Sequence, residues 1–193
     1  MRIPYVPNPP PTSTPEEAAI VSRISARRHP RPLQSLDLAL LHSPPVADGW
    51  NSFLGAVRTR TTLDAALREL AICRVAVCNG AWYEWKHHAP LAVAAGVTAE
   101  ALEIVKKDEP LQGEGVVGGK KNLLSEKEWA VLLYTDEMTR NVKVRDGTFD
   151  LLRRVCDERE VVEVTATVAA YNCVSRFLVA LDVGERNGTG PDE

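Results

Sequence analysis

The segment NGAWYEWKHHAP, residues 79–90, concentrates side chains that can do chemistry. It carries two of the chain's four tryptophans and two of its four histidines, together with a tyrosine and a glutamate. Glu84 and His88 are four residues apart, so on a helix they share a face one turn from each other. A carboxylate beside an imidazole is a proton donor and acceptor pair that works near neutral pH. Asn79-Gly80 breaks the preceding element, which puts Glu84 in the first turn of a new helix, where the helix dipole favours the ionised carboxylate. Upstream, Glu69 is a lone acid in the apolar run RELAICRVAVC, a second carboxylate within folding reach. Trp82, Tyr83 and Trp85 are candidates to wall such a site and exclude water. The competing reading is structural: a Glu-His pair at this spacing often does no more than link two turns, and an aromatic cluster often belongs to a core. A zinc site is not expected, because His87 and His88 diverge by about 100° on a helix.

The elements that would position these residues read as helices. Residues 1–15 form a proline-rich arm without helical or strand period. Thr14-Pro15-Glu16-Glu17 is a helix start, with a capping hydroxyl, proline in the first turn and acids inside; the helix should end near Arg28. Leucines at 36–41 and apolar residues from Val46 to Val57 predict two more helices around Ser43-Pro44-Pro45. A helix from 62–65 to Cys78 follows, then one over 81–95 closed by Gly96, then one near 99–107 capped by Thr98. Residues 109–122 are glycine-rich. Their G-x-G-x-x-G spacing lacks the strand and βαβ unit of a dinucleotide site, so a connector is expected. Ser125-x-x-Glu128 is a capping box for a helix to about Thr139; Asp146 should cap the next, 147–158; and residues 159–182 predict one long helix. The sum is an all-α domain of eight or nine helices over 16–183, with 184–193 as a frayed polar tail.

Composition sets the outer bounds. The chain has 193 residues, 45% apolar and 25% charged, with a formal net charge of -3. That is an ordinary globular profile, without the basic field that nucleic-acid binding requires. No run of about 18 apolar residues predicts a membrane span, and the N-terminus lacks the apolar centre of a signal peptide. A cytoplasmic setting is therefore expected. The four cysteines, Cys73, Cys78, Cys156 and Cys173, form no Cys-x-x-Cys pair and read as thiols rather than a disulfide framework.

The stretch RELAICRVAVCNGAWYEWKHHAPLAVAAGV, residues 68–97, resembles the core motif of the carboxymuconolactone decarboxylase / alkylhydroperoxidase D-like superfamily. Glu69, Tyr83-Glu84-Trp85, His88 and Gly96 carry the resemblance. It implies an AhpD-like all-α fold and a homo-oligomer (dimer, trimer or hexamer). Redox members carry Glu-x11-Cys-x-x-Cys-x3-His. In this register the glutamate and histidine are Glu69 and His88, but the two cysteine positions hold Ala81 and Glu84. Thiol peroxidase chemistry needs an attacking and a resolving thiol, which this register does not supply. The expectation is a cofactor-free acid–base site for decarboxylation, isomerisation or dehydration of a small oxygenated carboxylate or lactone. Glu84 is expected as base, His88 as its partner and Glu69 as orienting carboxylate. Trp82, Tyr83, Trp85, His87, Arg74 and Tyr171 are expected to contact substrate, and Arg68, Arg74 and Lys86 are the cations available to hold a departing carboxylate. A thiol peroxidase using Cys78 and a non-catalytic oligomeric binding protein are the alternatives.

Overall fold

The computed structural model describes residues 1–112 and 123–193. Among these there are nine α-helices and no strand: α1 Pro15–Arg28, α2 Ser35–Leu40, α3 Pro44–Thr59, α4 Ala65–Cys78, α5 Trp82–Ala94, α6 Ala99–Val105, α7 Glu126–Asn141, α8 Asp146–Val155 and α9 Glu158–Leu181. Most of the glycine-rich connector expected at 109–122 lies outside the described residues. The chain divides into two units, one of residues 1–61 and 180–185, the other of residues 62–179 and 186–193.

In the first unit, α3 packs on α1 and α2 through Ile20, Ile24, Leu40, Ala47, Leu54 and Val57, all buried. Thr14 caps α1, its Oγ1 accepting from the Glu17 amide at 3.2 Å. Arg28 is buried at the end of α1 and forks onto Asp37, with both bonds at 2.8 Å. The proline-rich arm lies along its own unit, the Arg2 amide donating to Leu181 O at 2.8 Å and the ring Nε2 of His42 lying 2.7 Å from Pro4 O.

The second unit is built around α4. Ten consecutive or near-consecutive positions of α4, from Leu67 to Val77, are buried, so this helix has no solvent face and must be enclosed by others. It packs against α5, α6 and α7, and α7 in turn carries α8. Leu70, Cys73, Ala76, Trp85, Ala92, Leu102, Val105, Trp129 and Leu132 form the common core. The capping box of α7 is present in full: Ser125 Oγ accepts from the Glu128 amide at 3.2 Å, and Glu128 Oε2 accepts from the Ser125 amide at 2.7 Å. Thr98 caps α6 as expected. Asp146 does not cap α8. It is the first helical residue, and Arg145 takes the cap position without a side-chain bond.

The β-branched run VVEVTATV is helical, within α9. This helix has the length and mean hydropathy, 1.4, of a spanning segment, but Val164, Val168, Tyr171 and Val174 are buried in the protein. Polar links tie it to its unit: Glu163 Oε2 accepts from the Thr62 amide at 2.9 Å, and Tyr134 Oη lies 2.9 Å from Thr165 Oγ1. The expected frayed tail is pinned over residues 186–193, because the buried Trp85 indole N–H finds its acceptor in Pro191 O at 2.8 Å and Lys106 pairs with Asp192 at 2.5 Å.

Candidate active site

The site lies in the α4–α5 hairpin of the second unit. α4 begins at Asp64, whose Oδ1 accepts from the Ala66 and Leu67 amides at 2.8 and 3.3 Å. It stops at Asn79-Gly80. Gly80 takes φ +60°, a left-handed conformation that suits glycine, and the Asn79 side chain is held by Asn172 at 3.1 Å and Ser175 at 2.7 Å. α5 restarts three residues later and runs back along α4. In a tight helical hairpin, residues at similar distances from the turn face each other. Glu69 stands ten residues before Asn79, about 15 Å along the axis, and His88 eight after Gly80, about 12 Å. They meet: Nδ1 of His88 is 2.6 Å from Oε2 of Glu69. The two side chains are 8% and 5% exposed. With Nδ1–H donating to the carboxylate, the lone pair of a neutral imidazole falls on Nε2. The ring stands edge-on to Tyr171, centroids 5.0 Å apart at 83°. On the other side of Glu69, Oε1 lies 3.6 Å from Nε of Arg68.

Glu84 is in the first turn of α5, as expected, but the protein encloses it there. It is 2% exposed, and neither carboxyl oxygen has a hydrogen-bond partner among the described residues. Burial pushes its acid well above the usual carboxylate range: desolvation of a fully enclosed charge outweighs the helix dipole. Glu69 and Glu84 both act on Cys73, whose thiol is pushed up first by burial and then by those two acids. Sequence reading missed Cys73 here. The signal was its position one turn after Glu69.

The remaining candidates separate. Arg74 is not available to a substrate: it is fully buried, and its five N–H donors are spent on Asp136 Oδ1 (2.9 and 2.5 Å), Val105 O (2.7 Å), Glu109 O (2.9 Å) and Lys107 O. Tyr83 and His87 stack at 4.3 Å on an outer face of α5, His87 being exposed with its Nδ1 2.8 Å from Tyr83 O. Trp82 and Trp85 do not wall the Glu69–His88 pair but line a cleft of about 420 Å³ against α6 and residues 186–193, which also includes Lys86 and Lys106. The ring of Tyr171 packs on the pair's imidazole. No cluster of three or more His, Cys, Asp or Glu residues able to hold a metal occurs among the described residues.

Cys78 sits at the end of α4 with Sγ 3.4 Å from Asp136 Oδ1. Burial raises its thiol to about 12, an effect that Arg74 and Arg140 oppose and Asp136 reinforces.

The α4–α5 hairpin carrying Glu69 and His88, with α4 enclosed by α5, α6 and α7, gives an all-α AhpD-like fold. The model of the carboxymuconolactone decarboxylase family matches residues 44–113, and over that segment the chain is similar to this family. Comparison with curated proteins gives no match. Among solved structures, a peroxidase-related protein from Silicibacter sp. is similar with a TM-score of 0.68 at 14% identity, over 96% of this chain and 95% of that one. The debrominase Bmp8, in a complex with 2,3,4-tribromopyrrole, gives 0.65 at 16% over 88% and 84%. A protein of unknown function from Agrobacterium tumefaciens, described as an antioxidant defence protein AhpD, gives 0.62 at 20% over 73% and 90%. At these identities the likeness concerns the fold.

Proposed function

We propose that the chain is an acid–base enzyme, a decarboxylase-like lyase or isomerase working without a cofactor on a small oxygenated carboxylate or lactone. The observation that carries this reading is the fully buried carboxyl of Glu84, without a hydrogen-bond partner among the described residues, one turn from the hydrogen-bonded Glu69–His88 pair. In this reading the roles expected from sequence are exchanged: Glu84, whose buried carboxyl favours its protonated form, is the acid, and His88 is the base, with Glu69 fixing its tautomer and balancing the charge that develops on the ring. In decarboxylation of a β-keto acid, the bond to the carboxylate carbon breaks. Its electron pair passes into the ketone and Glu84 protonates the developing enolate oxygen; Nε2 of His88 takes up the one proton the reaction consumes from solvent and delivers it to carbon, while Glu84 recovers its own from the enol. In isomerisation, Nε2 of His88 removes a proton α to the carbonyl and returns it elsewhere. We further propose that the working form is a homo-oligomer; Leu91 and Val93, 37% and 55% exposed on α5, are apolar surface for it to cover.

Proton exchange tests the chemistry. The protein, incubated in D2O with a panel of short β-keto carboxylates and lactone acids, should incorporate deuterium α to the carbonyl of at least one of them, or release CO2, as followed by NMR. His88→Asn should abolish this. Exchange that is unaffected by His88→Asn, or hydroperoxide turnover that disappears in Cys78→Ser, would replace this reading with another.

A further inference from the structure

We infer that Arg68 is the anion anchor of the site, the residue that receives the carboxylate of its substrate. This rests on the acid–base reading for the identity of the site and adds the chemical class of the ligand: a small carboxylate rather than a neutral lactone or ketone. Three cations stood open in the sequence, and the structure separates them. All five donors of Arg74 are engaged in the protein interior. Lys86 is exposed and borders the Trp82–Trp85 cleft, on a part of α5 away from the acid–base pair. Arg68 lies against Glu69.

Its hydrogen bonding is what sets Arg68 apart. Buried guanidinium groups elsewhere in the chain are matched to acceptors, as Arg28 is by its two bonds to Asp37. Arg68 is 16% exposed, yet Nε is a buried donor without an acceptor, and Nη1 makes a single bond to Leu63 O at the long limit of 3.5 Å. The contact with Glu69 Oε1 at 3.6 Å is electrostatic, too long for a hydrogen bond. An unmatched buried N–H is costly and uncommon in native proteins, and the fork of a guanidinium fits a carboxylate in bidentate geometry. The α4–α5 hairpin thus carries two unmatched groups of complementary kinds, the guanidinium of Arg68 on α4 beside Glu69 and the carboxyl of Glu84 on α5 one turn from His88. A molecule with a carboxylate for the first and a carbonyl oxygen for the second satisfies both.

The test compares each of two acids, acetoacetate and a γ-lactone carboxylate, with its own methyl ester. Dissociation constants are read by ligand-observed NMR on the full chain, with the fold checked by circular dichroism. The wild-type chain should bind at least one acid about tenfold more tightly than its ester. Arg68→Gln should erase that preference while leaving ester affinity unchanged, and Arg68→Lys, which keeps charge without the fork, should keep part of it. His88→Asn should keep the preference although it loses proton exchange, which separates failure of the anchor from failure of the acid–base reading. A wild-type chain with no preference for either acid overturns the inference. So does Arg68→Gln keeping the preference, or weakening acid and ester equally.

Discussion

Nδ1 of His88 lies 2.6 Å from Oε2 of Glu69 across the α4–α5 hairpin, and both side chains are nearly sealed from solvent. The bond does two things at once: it selects the ring tautomer and supplies the counter-charge for an imidazolium. Loss of either partner removes one function of a single unit. Glu69→Gln and His88→Asn should each lower turnover by about 10²- to 10⁴-fold, and the double variant should cost little more than the worse single one, since residues acting as a unit are not additive. Steady-state rates on whichever acid supports proton exchange check this; a double variant showing the full product of the two losses would separate the residues.

Glu84 gives a pH signature in stability. Its carboxyl titrates near 4.5 in an unfolded chain and well above that when folded. Between those two values the folded chain keeps a proton that the unfolded chain has lost. Its contribution is therefore fully present below about 4.5 and is lost as pH rises through the folded value. Glu84→Met, of similar bulk and without charge, should be more stable than wild type at pH 8 by about 1–3 kcal/mol, the cost of an unmatched buried polar group. That advantage should shrink as pH falls towards 4.5. Thermal unfolding of both proteins at a series of pH values measures it.

Much of the fold was legible in the residues themselves. Helix boundaries follow local rules, so Thr14, Thr98, Ser125 with Glu128, and the Asn79-Gly80 break marked real ends. The Glu69–His88 pairing was legible as a motif and becomes physical through the hairpin, whose turn brings the two to the same level. The burial of Glu84 was not legible, because first-turn position is a local property whereas enclosure by neighbouring helices is not. Trp82 and Trp85 were expected to wall the acid–base site and instead line a cleft against α6, because spacing alone does not say which side of α5 a cavity occupies. Arg74 looked available because a cation in an apolar run has no visible partner; its partners lie at positions 105–109 and 136, far along the chain.

The thiol reading makes a contrary forecast. With its pKa near 12, Cys78 is almost wholly protonated at pH 7, so it is a poor nucleophile towards hydroperoxide. Cys73 and Cys156 are buried, and Cys173 is exposed. Native-state titration with an aromatic disulfide at pH 7.5 should therefore find one fast thiol, removed by Cys173→Ser. The Cys78 thiol should survive brief exposure to hydroperoxide, as read by peptide mass spectrometry.

Arg74 and Asp136 form the polar centre of the second unit, with a 2.5 Å contact and no useful exposure. Desolvation lifts the Asp136 carboxyl, but Arg74 and Arg140 more than offset it and hold the group below its usual value. Its stabilisation is accordingly complete above the unfolded value and fades as pH falls through the folded one. Arg74→Met or Asp136→Leu alone leaves a buried charge uncompensated and should cost about 3–5 kcal/mol in urea unfolding. Removing both charges would often be neutral for an isolated buried pair. Here Arg74 also serves the carbonyls of Val105, Lys107 and Glu109, and Asp136 accepts from the Leu111 amide at 3.2 Å. Those backbone groups lose their partners in the double variant as well. It should be less damaged than the sum of the single variants, yet remain at least about 2 kcal/mol below wild type; full recovery would mean that the backbone bonds around residues 105–111 contribute nothing to the fold.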